Sequence, residues 1–263
     1  TYINTNDMSN TINWGKIHGL SYSPETNLTG TAAAPSFTNT KSIELDGVDD
    51  FVNVADNSNL SFGDGSNDSP FSISAWVNID NKNRFRIVSK YDSNLEYLLT
   101  TSGSGILVFN LYDNSNGSRI SRRISSVMAT NTWIHLIATY DGSSSSSGIK
   151  IYMNGSRADD TTSNSGSYTA MENTTAPFEI GKNLSTVANG HIDEVSVFNS
   201  ELSASDVTTI YNGGVPNDIS ALNPLSWWRC GDGDTAPTLT DNGSGGNNGT
   251  MTNFSTFSTD VPT

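Results

Sequence analysis

Phe71-Ser72-Ile73-Ser74-Ala75-Trp76-Val77 alternates without a break. Phe71, Ile73, Ala75 and Val77 fall on one face of an extended chain, and Ser72, Ser74 and Trp76 fall on the other. Similar short runs lie on both sides, separated by Asn, Asp, Gly and Ser. Upstream are Lys41 to Leu45, which breaks at Asp46-Gly47, and Phe51 to Val54. Downstream are Arg86 to Lys90, Tyr97 to Thr100, Ile106 to Tyr112, Trp133 to Tyr140, Gly148 to Met153 and Phe178 to Gly181. Many short strands at regular spacing with almost no helical period predict an antiparallel β-sandwich or jelly roll. In His191 to Phe198, strict alternation sets Ile192, Glu194, Ser196 and Phe198 opposite Asp193, Val195 and Val197. Apolar residues on both faces predict a strand covered on both sides at one end. One helix is expected, opened by the capping box Ser203-Ala204-Ser205-Asp206 and stopped at Gly213-Gly214.

Composition narrows the function. The 263 residues carry 27 acidic and 13 basic side chains, a net charge of −14, which argues against nucleic acid as a partner. No apolar run approaches the roughly 18 residues of a membrane span. The start Thr1-Tyr2-Ile3-Asn4 lacks the look of a signal peptide, and the absence of an initiator Met suggests a fragment or a processed chain. The lone Cys230 excludes an intrachain disulfide and a cysteine zinc site. Abundant small polar residues suit an extracellular or particle-surface protein.

Four segments carry a family resemblance: Leu45-Asp46-Gly47-Val48-Asp49-Asp50-Phe51-Val52, Phe71 to Val77, Trp133 to Gly142, and Gly190-His191-Ile192-Asp193-Glu194-Val195. Their order and spacing resemble the laminin-G-like, concanavalin A-like (LamG, pentraxin-type) jelly rolls. The resemblance implies two curved antiparallel sheets, a ligand or partner surface at one edge, and a structural calcium ion. It divides the chain into an N-terminal extension (1–40), the jelly roll (41–215), a linker (216–224) and a C-terminal segment (225–263). In that last segment, Trp227-Trp228-Arg229 and the Gly-rich stretch after it look like the opening of a second such domain. It either begins a truncated repeat or supplies an edge strand to its own or a neighbouring sandwich, and pairing in trans would make a homo-oligomer. Proteins with this arrangement resemble marine bacteriophage structural proteins and bacterial surface proteins, which implies an adhesive or structural role at a virion or cell surface.

Candidate sites follow from side-chain chemistry. Calcium takes six to eight oxygens; Asp46, Asp49 and Asp50 sit at one turn and Asp193 and Glu194 on a late strand, and the resemblance implies that the two segments share the ion. Sugar binding pairs aromatic platforms with planar polar groups, which selects Trp76, Tyr91, Tyr97, Tyr112, Arg119, Arg122 and Arg123. The arginine cluster suits an acidic glycan or a partner's carboxylates; a solvated edge strand is the plainer reading. Trp76 also fits the second face of a sandwich strand, and Trp133 and His135 read as core. Glu44-Leu45-Asp46-Gly47-Val48-Asp49 is similar to the Glu-x-Asp-x-x-Glu motif of family-16 glucanases. Its last carboxylate is one methylene short, and Gly47 interrupts the strand, so no enzyme activity is expected. The expectation is a non-enzymatic, surface-displayed module that binds carbohydrate or a neighbouring virion or surface protein. The alternative is a decoration subunit with no glycan ligand.

Overall fold

The computed structural model describes Phe37–Thr263, which form one compact unit. The N-terminal extension expected over residues 1–40 lies outside the described residues as far as Ser36. The early strands are β1 (Ile43–Asp46), β2 (Phe51–Val54), β3 (Phe71–Ile79), β4 (Arg86–Tyr91), β5 (Leu95–Thr101), β6 (Ile106–Asp113) and β7 (Ser118–Val127). Next come β8 (Trp133–Tyr140), β9 (Ile149–Met153), β10 (Ser156–Arg157), β11 (Thr161–Thr162), β12 (Phe178–Ile180), β13 (Lys182–Asn183) and β14 (Thr186–Val187). The chain then forms β15 (Asn189–Phe198), helix α1 (Ala204–Tyr211), β16 (Ser226–Trp228), β17 (Thr238–Leu239) and β18 (Gly249–Thr252).

Two antiparallel sheets enclose the core. The seven-stranded sheet runs β1-β15-β3-β8-β9-β10, with β16 also paired to β15; the nine-stranded sheet runs β11-β7-β6-β5-β4-β12-β2-β18-β17. The inward face of β3 is the one its sequence predicts: Phe71, Ile73, Ala75 and Val77 join the main core. Its other face is buried too, because α1 and the chain beyond it close over the outside of this sheet. Ile137, Phe198, Val207, Ile210, Ile219 and Trp227 form a second apolar cluster there. Ile219 lies in the stretch expected as a linker. The capping box forms in both directions between Ser203 and Asp206, and Asn212 ends the helix in the left-handed conformation.

Strict alternation misplaces part of β15. Asp193 stands opposite Trp76 and Ser196 opposite Ser74, so β15 carries one extra residue there. This is a β-bulge, with Glu194 at φ +47°. It resets the phase, so that Ile192, Val195 and Val197 all face the main core. Ile192 is therefore on the same face as Val195 and Val197, not opposite them. Strand β1 pairs with β15 as far as Ile192, and β16 takes over at Val195. Asp193 and Glu194 occupy the gap between these two end-to-end neighbours.

The C-terminal segment serves both sheets of its own sandwich. Strand β16 pairs with β15, and β18 pairs with β2 from Gly249↔Val54 to Thr252↔Phe51. Trp228 is fully buried in the core and stacks on Phe178 at 5.2 Å.

Candidate functional site

On the nine-stranded sheet, Leu99, Phe109 and Leu111 point into the core. Their neighbours Leu98, Thr100, Val108, Asn110 and Tyr112 take the opposite face. Cross-strand register sets Arg86 opposite Thr100, Arg123 opposite Val108 and Arg119 opposite Tyr112. Arg84 joins from the turn before β4. Arg84, Arg86, Arg119 and Arg123 thus line a single groove of about 310 Å³ over Leu98, Thr100 and Asn110. Leu98 is 5% exposed although it lies on the face away from the core, as expected where arginine stems lie across it.

The electrostatics of this groove are unusual for so acidic a chain. Lys90, Arg122, Lys150, Arg157, Lys182 and Arg229 each have a carboxylate partner. Among the described residues, none of the four groove arginines has one. Their one side-chain hydrogen bond among the described residues runs from Arg86 Nη1 to Thr100 Oγ1 at 2.8 Å. The Nε atoms of Arg86, Arg119 and Arg123 are buried without a partner among the described residues. Burial lowers the Arg86 pKa, and the Arg84 charge adds to that. A buried donor with no acceptor costs about 1–3 kcal/mol; the arginines themselves line the groove, where their guanidinium ends face no carboxylate among the described residues. Guanidinium forks match carboxylate and sulfate oxygens in two-point contacts.

The residues selected from sequence part company here. Arg119 and Arg123 line the groove. Tyr112 stands beside Arg119 and packs edge-on against Tyr91 at 5.0 Å; burial pushes its hydroxyl up to about 12. Tyr97 is a core residue instead, fully buried, with its hydroxyl donating to the Leu60 carbonyl at 2.7 Å. Arg122 has the opposite strand parity from Arg119 and Arg123, and it pairs with the buried Asp159 carboxylate. Trp76 is on the other sheet, 3% exposed against His135 and Tyr211. His135 is buried as expected, bonded to Ser74 Oγ at 2.9 Å. Arg84 and Arg86 were missed, although the spacing Arg84-Phe85-Arg86 could place both on one strand face.

A family model described as the concanavalin A-like lectin/glucanases superfamily, of the laminin-G type, matches residues 46–208, more than half of the chain. The chain belongs to this superfamily. No curated protein sequence matches it. Among solved structures, this concanavalin A-like chain is similar to a candidate carbohydrate-binding protein from Bacteroides ovatus. The TM-score is 0.57 at 20% identity, covering 84% of this chain and 62% of that one. It therefore spans less than two thirds of that protein. A heptameric SAP-like pentraxin from Limulus polyphemus gives a TM-score of 0.38 at 15% identity over 64% of this chain and 83% of that one. A domain of a Geobacillus stearothermophilus arabinanase, solved with arabinotriose, gives 0.41 at 20% identity over 56% and 69%.

The acidic candidates of this concanavalin A-like sandwich form two separate groups. Asp46, Asp49 and Asp50 present carboxylate oxygens within 4.8 Å of one another. Asp46 Oδ1 already accepts from the Val48 and Asp49 amides, and the Val48 bond leads in lowering its pKa. Burial, with the charges of Asp46, Asp49 and Glu44, raises that of Asp50. The three carboxylates offer hard oxygen donors, which fit calcium. Asp193 and Glu194 do not join them. They sit in the bulge with partners of their own: Asn39 donates to Asp193 at 2.7 Å, and Glu194 accepts from Trp227 Nε1 and Arg229 Nε. Glu44 and Asp46 are exposed on β1 and stand apart from the arginine groove.

The bulge carries a pH signature. Burial pushes Glu194 up to about 7 against the pull of Arg229, and burial with the Glu194 charge raises Asp193 well above its usual range. A folded pKa above the unfolded value means that Glu194 contributes stability below its unfolded pKa, about 4.3. That contribution is lost as pH rises through about 7. Wild type is therefore expected to lose stability relative to Glu194→Gln between about pH 5 and about pH 8. Paired thermal melts check this, and a constant difference across that range would mean that Glu194 is ionised throughout.

Proposed function

We propose that this chain is a non-enzymatic carbohydrate-binding module that holds an acidic glycan along the groove of Arg84, Arg86, Arg119 and Arg123. The supporting observation is that these arginines lie side by side without carboxylate partners among the described residues, in a chain of net charge −14. Asn110 on the floor supplies a short polar group for hydroxyls, and Tyr112, opposite Arg119 and packed on Tyr91, offers aromatic surface beside the groove. Among the described residues, the charged lining of the groove is cationic and includes no paired acid and nucleophile. Display at an extracellular or virion surface fits the polar composition, and immunogold labelling of intact cells or particles tests it.

Polygalacturonate, alginate and a sulfated galactan, set against neutral glucans, test the ligand class. Binding to the acidic polymers that weakens steeply with added salt is expected. Binding to the acidic polymers that is indifferent to added salt would remove the groove from the reading. Calcium belongs in the same proposal as a structural ion at Asp46, Asp49 and Asp50. Calcium is expected to raise the melting temperature over that in EDTA, and Asp49→Asn to abolish the rise. Identical melts with calcium and with EDTA would exclude the ion.

A further inference from the structure

The opposite sheet carries a second concavity of different chemistry. It has a volume of about 490 Å³, within the roughly 300–1,000 Å³ of small-ligand sites. Aromatic walls come from Trp76, Trp133 and Tyr211, and amides from Asn78, Asn131 and Asn154. Three separate constraints bring them together. Trp76 and Asn78 alternate on the outer face of β3, and Trp133 stands opposite Asn78 on β8. Tyr211 ends α1 and stacks on Trp76 at 6.0 Å. Asn154 sits in the turn after β9 at φ +50°, its Oδ1 accepting from the His135 amide at 2.9 Å. Beside Asn78, Gly190 lets β15 approach closely: a Cβ there would lie 2.3 Å from the Asn78 carbonyl oxygen. Trp133, expected to be a core residue, is half-buried here.

The polar atoms of this pocket are organised but not all satisfied. Asp260 accepts from Trp133 Nε1 at 2.9 Å and from Asn78 Nδ2 at 3.3 Å. Both bonds fix orientation. The first holds the Trp133 ring, and the second sets which way the Asn78 amide points, since turning it over would set two oxygens against each other. In that orientation Asn78 Oδ1 is buried and without a partner among the described residues, on a side chain of a residue only 8% exposed. An unpaired buried acceptor is costly, and because Asn78 lines the pocket, a small shift of its side chain would offer this oxygen to an entering hydroxyl. Asn154, whose Oδ1 is taken by the backbone, keeps its Nδ2 as a donor.

We infer that this pocket is a second ligand site and that it takes a neutral pyranose at the end or within the chain of an oligosaccharide. A sugar ring presents C–H groups on its faces and hydroxyls at its rim. Trp133 and Tyr211 supply surface for the first, and the three asparagines supply donors and acceptors for the second. Among the described residues the one charged wall side chain, Asp260, repels a uronate or a sulfate, which separates this ligand from that of the arginine groove. The inference does not rest on the acidic-glycan reading, because the two sites lie on different sheets and share no residue.

Tryptophan fluorescence and calorimetric titration with maltotetraose, cellotetraose, laminaritetraose and mannotetraose test it on the full chain. At least one tetrasaccharide is expected to bind and to perturb the fluorescence. Trp133→Ala and Asn78→Ala should each weaken that binding at least about tenfold, the size expected for loss of a stacked ring or a buried hydrogen bond. Trp133→Phe should restore most of it. Thermal melts establish that each variant folds, so that a misfolded variant is replaced by the Phe variant in the comparison. Arg119→Glu with Arg123→Glu should leave the neutral sugar bound as before. Three results would overturn the inference: no binding of any tetrasaccharide at millimolar concentration, binding indifferent to Trp133 and Asn78, or binding lost with the two arginines.

Discussion

Reversing both Arg119 and Arg123 to glutamate is expected to reduce affinity for acidic polysaccharide at least about 100-fold, equivalent to about 2.7 kcal/mol. A hydrogen bond to a charged group contributes about 1.5–3 kcal/mol, and the double variant removes two cations while adding two repelling carboxylates. The fold should survive it. Neither arginine has an ion-pair partner to lose among the described residues, and the new carboxylates would stand near Arg84 and Arg86. An unchanged melting temperature alongside lost binding is therefore the expected pattern. Replacement of both by glutamine should cost less and should flatten the salt dependence. Full retention of binding by the glutamate variant would refute the groove as the site.

Trp228→Ala is expected to destabilise the chain by about 3–5 kcal/mol, the usual cost of deleting a large buried aromatic. That is a large part of the about 5–15 kcal/mol that holds a typical domain folded. Trp228 is 0% exposed, stacks on Phe178 and donates from Nε1 to the Asn247 carbonyl at 2.8 Å. The substitution removes packing on the core side and leaves that carbonyl without its donor. Trp228→Phe keeps much of the stack and loses the hydrogen bond, so its cost should be nearer about 1–2 kcal/mol. Urea titrations of the three proteins measure both numbers. An alanine variant within about 1 kcal/mol of wild type would mean that the segment after residue 224 lies against the sandwich without completing it.

The contrast between Phe71 to Val77 and His191 to Phe198 explains what could be read in advance. Alternation depends only on the two-residue period of a strand, so it sorts the faces of β3 correctly. It fails in β15 because one inserted residue at Glu194 changes the phase, and a left-handed glutamate has no local signature as an Asn-Gly turn would. The same limit governs the candidate sites. Arg119 and Arg123 share a parity that separates them from Arg122, which was legible. Their meeting with Arg84 and Arg86 depends on β4, β5, β6 and β7 being neighbours in one sheet, which is a matter of topology. Tyr97 misled because an aromatic between apolar residues has the same pattern whether its hydroxyl meets a ligand or the Leu60 carbonyl. Asp193 and Glu194 were linked to Asp46 by family resemblance alone; a bulge between β1 and β16 gives them Asn39, Trp227 and Arg229 instead.

Inserting β18 beside β2 has a kinetic consequence. Val54 finds its partner in Gly249, so β2 waits for a strand that leaves the ribosome much later. Until then β2 has β12 on one side and an open edge on the other, and Trp228 has not yet reached the core. Contacts so distant along the chain make folding slow. Nascent chains halted before residue 249 should accordingly remain open to protease, acquiring resistance only when β18 is released.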